Sequence, residues 1–251
     1  MLKTDPDPQW TELPGGPTAY TDEGEGPAVV CVHGYPGGPR DFRYLAPRIQ
    51  GCRVLRLSLP GQGLTPLATE PGAAVEPRAR FIQDFLKAMD LSEVILVGHS
   101  MGGGLVSAAV NERVRAVALL ASLGLRAHKG FRGIPGWLPT LASSPLWHLV
   151  RPVAKRGFAR AGFPSYYDDD TLRHTLRCAG GLDFDVVAAA HRALRVPTLV
   201  AWAEDDPLIE PAIPLELIDV VPEGPRLRFE SGGHNVQKDH AEEIGRAIAS
   251  L

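Results

Sequence analysis

The stretch 93–104 constrains the fold of this chain more than any other. Val94-Ile95-Leu96-Val97 is a short apolar run, the pattern of a fully buried strand. It leads into Gly98-His99-Ser100-Met101-Gly102-Gly103-Gly104, and then into a segment of helical character over 105–110. A serine in a sharp strand-to-helix turn sits in strained backbone geometry. Only side-chain-free neighbours let the two elements approach, and the G-x-S-x-G spacing supplies them. Such a turn lifts the Ser100 hydroxyl clear of the sheet, at the positive end of the following helix, where negative charge is favoured. The plain alternative is an ordinary tight turn; the strand before it and the helix after it favour a nucleophile elbow.

The remaining chain reads as alternating strands and helices. Residues 10–13 and 18–21 form an antiparallel opening pair across Pro14-Gly15-Gly16-Pro17, a strong turn cluster. Residues 28–32 and 53–59 are buried strands, and 41–49 is expected to be helical with Phe42, Leu45 and Ile49 on one side. A helix over 77–89 follows, with Pro77 suited to its first turn and Phe81, Ile82, Phe85, Leu86 and Met89 at helical spacing. Further strands are expected at 114–120, 198–202 and 227–229, with helices at 213–220 and 239–251. Short buried strands alternating with amphipathic helices imply an α/β domain with a mostly parallel central sheet flanked by helices.

Between 124 and 194 that alternation lapses. Pro135, Pro139, Pro145, Pro152 and Pro164 punctuate the stretch, no convincing strand appears, and short helices are expected at 146–158 and 170–178. Eight of the seventeen aromatic residues fall here, so the segment reads as an aromatic-rich helical cap, or lid, inserted in the core. The expected division is a core of 1–123 and 195–251 with a cap of 124–194. Arg151, Lys155, Arg156 and Arg160 share one helical face, read as a solvated face ahead of one that meets an anionic substrate, and Asp168-Asp169-Asp170 as the cap of the next helix.

A formal net charge of -3 gives no electrostatic case for nucleic acid or an anionic membrane. No apolar run approaches the roughly 20 residues of a spanning helix, and the first residues lack a signal-peptide core, so a cytoplasmic protein is expected. Cys31, Cys52 and Cys178 are an odd count without a C-x-x-C pair, which argues against a disulfide framework.

A serine hydroxyl becomes nucleophilic when an imidazole takes its proton, and that imidazole needs a carboxylate to fix its tautomer. In a parallel sheet such groups come from loops at the carboxyl ends of strands. Three such ends carry Ser100, then Asp205 or Asp206, then His234, in the order Ser, Asp, His. The other histidines show no metal-ligand spacing, so neither metal nor cofactor is implied; His99 is expected to pack or hydrogen-bond locally.

These residues resemble the α/β-hydrolase fold superfamily. The resemblance runs through Tyr20-Thr21-Asp22-Glu23-Gly24-Glu25-Gly26-Pro27, His33-Gly34-Tyr35-Pro36, Gly98-His99-Ser100-Met101-Gly102 and Gly233-His234, and so spans essentially the whole chain. It implies Ser100, Asp206 and His234 as catalytic triad, Asp206 being preferred because relatives carry the acid just before the turn that starts the next helix, here Asp206-Pro207. It implies an oxyanion hole from the backbone N–H groups of Met101 and Tyr35. His33, Trp137, Trp147, Tyr166 and Tyr167 are expected around the substrate pocket. Similar haloalkane dehalogenases and epoxide hydrolases use an aspartate at the elbow, so Ser100 argues against both. The expected activity is cleavage of small to medium apolar carboxylic esters, a small-molecule substrate, with oligomeric state left open. Carbon–carbon bond hydrolysis, cofactor-free perhydrolysis and a ligand-binding sensor with vestigial activity stand as alternatives.

Overall fold

Strand-forming runs and amphipathic helices alternate along the chain, and in the computed structural model they wind into one α/β sandwich. Residues 5–69, 72–160 and 167–251 are described. Strands β1 (Gln9–Leu13), β2 (Gly16–Glu23), β3 (Ala28–Val32) and β4 (Arg53–Leu57) open the fold. Helix α1 (Val75–Ala88), β5 (Val94–His99), α2 (Met101–Ala109) and β6 (Val114–Leu120) follow. Between β6 and β7 the chain inserts α3 (Lys129–Arg132), α4 (Trp137–Ala142), α5 (Trp147–Arg160), α6 (Asp169–Gly180) and α7 (Phe184–Ala193). The chain ends with β7 (Thr198–Ala203), α8 (Ala212–Ile218), β8 (Arg226–Phe229), α9 (Val236–Asp239) and α10 (Ala241–Ala249).

Among the described residues, eight strands form one sheet in the order β1-β2-β4-β3-β5-β6-β7-β8. β2 runs antiparallel to both β1 and β4, and every pairing from β4 to β8 is parallel. Alternate residues divide the core between the two faces. Val30, Val32, Leu96, Val117 and Leu119 pack with Phe85, Leu86, Leu105 and Val106 of α1 and α2. Val29, Cys31, Ile95, Val97 and Ala118 pack with Phe42, Leu45, Ile244 and Ile248 on the other face. Strands covered on both sides carry no polar alternation, which is why the central ones read as unbroken apolar runs.

Charge enters this core at β4, with its partners in place. Arg56 of β4 is 1% exposed; its guanidinium meets Asp5 Oδ1 at 2.9 Å and Glu23 Oε1 at 2.8 Å.

Two expected helices are broken for identifiable reasons. Residues 41–49 form two short 3-10 turns, Pro39–Phe42 and Ala46–Arg48, in place of one helix. Pro47 lacks the N–H a helix would need at that point and disfavours helical backbone at Ala46. The terminal helix is interrupted at His240 (φ -112°, ψ 31°), whose ring stacks on Phe229 with centroids 3.8 Å apart and bonds the Ser231 carbonyl at 2.6 Å.

Within the insertion, Leu138, Ala142, Trp147, Ala154 and Leu176 of α4, α5 and α6 form a separate apolar cluster. Asp168 caps α6 by accepting the Thr171 N–H at 2.7 Å, and Asp169 pairs with both Arg151 and Lys155 of α5. Helix α7 lies against α2, with Val187 at Gly104. No helix among the described residues is long and apolar enough to cross a membrane.

Candidate active site

The chain places β4 on one side of β3 and β5 on the other, so the loops that leave β3 and β5 diverge. A crevice opens at the carboxyl ends of adjacent parallel strands wherever the order reverses in this way. His33-Gly34-Tyr35 leaves β3 there, and Ser100 follows directly on β5.

Ser100 holds φ 54° and ψ -122°, the strained conformation expected of an elbow. A Cβ on Gly98 would fall 2.5 Å from the Gly102 carbonyl oxygen, so the strand can fold back against the helix only without a side chain there. The Ser100 N–H donates to Leu120 at 3.0 Å, and its carbonyl accepts from Gly103 and Leu123 at 3.0 and 3.2 Å. The backbone of the turn is thus locked into β6 while the hydroxyl is left to the crevice.

That hydroxyl lies 2.9 Å from His234 Nε2. On the other side of the ring, Nδ1 lies 2.9 Å from Asp206 Oδ2. A carboxylate can only accept, so Nδ1 carries the proton and Nε2 presents its lone pair to Ser100. Asp206 is 2% exposed and is itself held, its Oδ1 accepting the Leu208 and Ile209 N–H groups at 2.7 and 3.0 Å. Burial works to raise its pKa, but the bond and charge of His234 and those two N–H groups outweigh it, and the net shift is downward. Asp205 points elsewhere: its Oδ1 accepts the Gly233 N–H at 2.7 Å and braces the loop that carries His234. The two acids are therefore resolved by contact, Asp206 to the ring and Asp205 to the backbone.

The β3 loop touches the nucleophile. A Cβ on Gly34 would lie 2.9 Å from the Ser100 Cβ, which puts the backbone next to Tyr35 beside the hydroxyl. Met101 is the first residue of α2, whose opening N–H groups have no partner inside the helix. Arg78 of α1, 1% exposed, lies behind both residues. Its Nη1 is 3.4 Å from Met101 Sδ and its guanidinium carbon 5.4 Å from the Tyr35 ring centre.

His33 is not a pocket wall. It is fully buried; the Leu59 N–H donates to Nε2 at 3.0 Å, so Nδ1 bears the proton and donates to the Gly34 carbonyl at 2.8 Å. Burial holds its pKa down at about 4, so it is a neutral strut beneath the loop. Trp147 is likewise a core residue of the insertion, 7% exposed among Leu138, Ala154 and Leu176. Trp137 is half-exposed on the first turn of α4, Tyr167 is half-buried ahead of α6, and Tyr166 lies outside the described residues. His99 is tied over a long range, to the carbonyl of His234 at 2.8 Å, where a local contact was expected. Three braces escaped the sequence reading: Arg78, Asp205, and Lys129, whose Nζ donates to the Asp206 carbonyl at 2.8 Å. Lys129 and Arg78 carried no motif; Asp205 stood next to one.

A cavity of about 510 Å³ opens between α4, α6 and residue 73, lined among others by Phe131, Ile134, Pro139 and Leu182. Ser100, Asp206 and His234 do not line it. Among the described residues, no cluster of three or more His, Cys, Asp or Glu could hold a metal ion.

Comparison with known proteins agrees with this architecture. The 2-hydroxy-6-oxo-6-(2'-aminophenyl)hexa-2,4-dienoic acid hydrolase of Metapseudomonas resinovorans is 28% identical over 94% of this chain and 88% of its own length. An alpha/beta hydrolase fold protein from Burkholderia ambifaria superposes with a TM-score of 0.80 at 19% identity, covering 97% of each chain. An esterase from Exiguobacterium antarcticum does so with 0.76, also at 19% identity, over 96% of this chain and 98% of its own. At 19% identity the likeness is one of fold. Residues 29–247 match the alpha/beta hydrolase family as a whole, so the chain belongs to that family.

Proposed function

We propose that this hydrolase cleaves carboxylic esters of small to medium, largely apolar substrates through an acyl-enzyme on Ser100. The observation that carries the reading is the continuous relay from Asp206 through His234 to Ser100, with both links at 2.9 Å. Ser100 Oγ attacks the ester carbonyl while His234 Nε2 takes its proton. Asp206 holds the ring in the Nδ1–H tautomer and stabilises the imidazolium that forms. The N–H groups of Met101 and Tyr35 receive the developing oxyanion, each worth about 3 kcal/mol in comparable sites. His234 then protonates the departing alcohol, and water deacylates Ser100 by the same route in reverse. Residues 124–194 serve as the cap over this crevice, and their apolar rings favour apolar substrate groups.

Ser100→Ala is the direct test. Turnover of p-nitrophenyl acetate and butyrate should fall by roughly 10³-fold or more with the fold intact. Unchanged turnover would remove Ser100 from the reaction.

A second reading is favoured by the dienoic acid hydrolase relative, which matches over 94% of this chain. Hydrolysis of such a dienoate at a carbon–carbon bond would require the leaving group to be protonated at carbon instead of oxygen. Assaying a ring-cleavage dienoate beside the ester panel separates the two: faster turnover of the dienoate by several orders of magnitude selects the carbon–carbon reaction.

A further inference from the structure

We infer that His99 is a positioning residue for the proton shuttle, its neutral imidazole fixing the backbone of His234 relative to Ser100; this rests on the serine mechanism proposed above. His99 Nε2 lies 2.8 Å from the His234 carbonyl oxygen. A carbonyl can only accept, so Nε2 carries the hydrogen. His99 also precedes the nucleophile in the chain. Backbone and side chains therefore close a ring: from Ser100 to His99, through the imidazole to the His234 carbonyl, and from the His234 ring back to Ser100 Oγ at 2.9 Å. The nucleophile and its base are thus held in one local frame.

The loop that bears His234 needs such a frame. Gly232 and Gly233 both take positive φ, 136° and 56°, where glycine is the most permissive residue. Asp205 pins the Gly233 N–H and His240 the Ser231 carbonyl, but His99 ties down the backbone of His234 itself.

The brace must also stay uncharged. The rings of His99 and His234 have centroids 4.9 Å apart, and a second imidazolium at that distance would oppose the one that forms during proton transfer. The charged or titratable groups that act on His99 are His234, Asp206 and His33. His99 is 5% exposed and its Nδ1 has no hydrogen-bond partner among the described residues, an environment that excludes the proton; burial, reinforced by His234, holds its pKa down at about 3. A lysine or arginine would make the same bond with the wrong charge.

The test compares three substitutions by the rate of Ser100 labelling with a fluorophosphonate, which needs no natural substrate, and by kcat and KM on p-nitrophenyl butyrate. His99→Leu removes the donor and should slow labelling and kcat by on the order of 10²-fold, the effect of about 1 Å of misplacement, with KM changed less than threefold. His99→Gln can present an amide N–H to the same carbonyl and should recover to within about fivefold of the wild type. His99→Asn, one bond too short, should remain slow. Should the Leu variant fail to fold, the contrast between Gln and Asn decides. Equal rates for those two, or a folded Leu variant within threefold of the wild type, overturns the inference. Ser100→Ala separates it from the underlying reading: if that variant keeps its turnover, the serine mechanism fails; if only the His99 variants are indifferent, this assignment alone fails.

Discussion

The strand-end loops and the helical insertion are held together by different forces. At the carboxyl ends of β5, β7 and β8, each key side chain is fixed by short directional bonds: Asp206 by two backbone N–H groups, His234 by Asp206 and Ser100. Helices α4 to α6 cohere through a small apolar cluster around Trp147, while Leu146 just ahead of α5 and Leu149 and Val153 on it stay exposed. Directional bonds fix geometry to tenths of an ångström and contribute modestly to net stability; apolar burial does the reverse. A point change among the loops should therefore cost rate, and one in the insertion should cost stability.

Asp206→Asn is the sharpest way to break that contrast. Asparagine keeps an oxygen for the Leu208 and Ile209 N–H groups but turns an amide NH₂ toward His234, which forces the wrong tautomer. The kcat on p-nitrophenyl butyrate should fall by about 10⁴-fold. Thermal unfolding should shift by only a few degrees. A large loss of stability with modest loss of rate would show that the relay is a structural clamp.

Trp147→Ala tests the other side. Removing a buried tryptophan should destabilise by about 3–5 kcal/mol, whereas Leu149→Ala, at a site 63% exposed, should change stability by less than about 0.5 kcal/mol. Urea unfolding gives the first number. Fluorophosphonate labelling of Ser100 should stay within about threefold in both variants at low temperature; a collapse of labelling in the tryptophan variant would mean that helices α4 to α6 help build the site.

The same division decides what could be read from the sequence. Ser100 and His234 were legible because glycines at fixed spacing report a local backbone requirement, and the alternating apolar runs reported the sheet. The choice between Asp205 and Asp206 rested on resemblance, since both are acids at one strand end and only the fold shows which carboxylate faces the ring. The link from His99 to His234 spans 135 positions and left no local trace. Arg56 broke the apolar pattern of β4 without announcing its partners, Asp5 ahead of β1 and Glu23 of β2. In the insertion, Trp147 looked like a pocket wall because an aromatic on a short helix can face either a ligand or its neighbours. Its periodicity is the same in both cases, and only packing tells them apart.

A smaller effect than that of Trp147→Ala lies where the two regions meet. His191 of α7 is fully buried, its Nε2–H donating to the Leu123 carbonyl at 3.1 Å while Nδ1 has no partner among the described residues. Burial, with Arg192 adding to it, holds its pKa down at about 4 in the folded chain, against about 6.5 when unfolded. Between those values the unfolded chain binds the extra proton and the folded chain does not, so stability falls as pH falls through that window. The effect is absent above about pH 7 and complete below about pH 4. At pH 5 it should amount to about 2 kcal/mol. His191→Gln keeps an N–H for Leu123 and cannot titrate. Its urea stability should therefore lose about 2 kcal/mol less than that of the wild type between pH 7.5 and pH 5, all other groups cancelling in the difference. Parallel losses in the two proteins would mean that water or a shifted helix solvates the ring in solution, and that α7 is less tightly seated on α2 than its packing here implies.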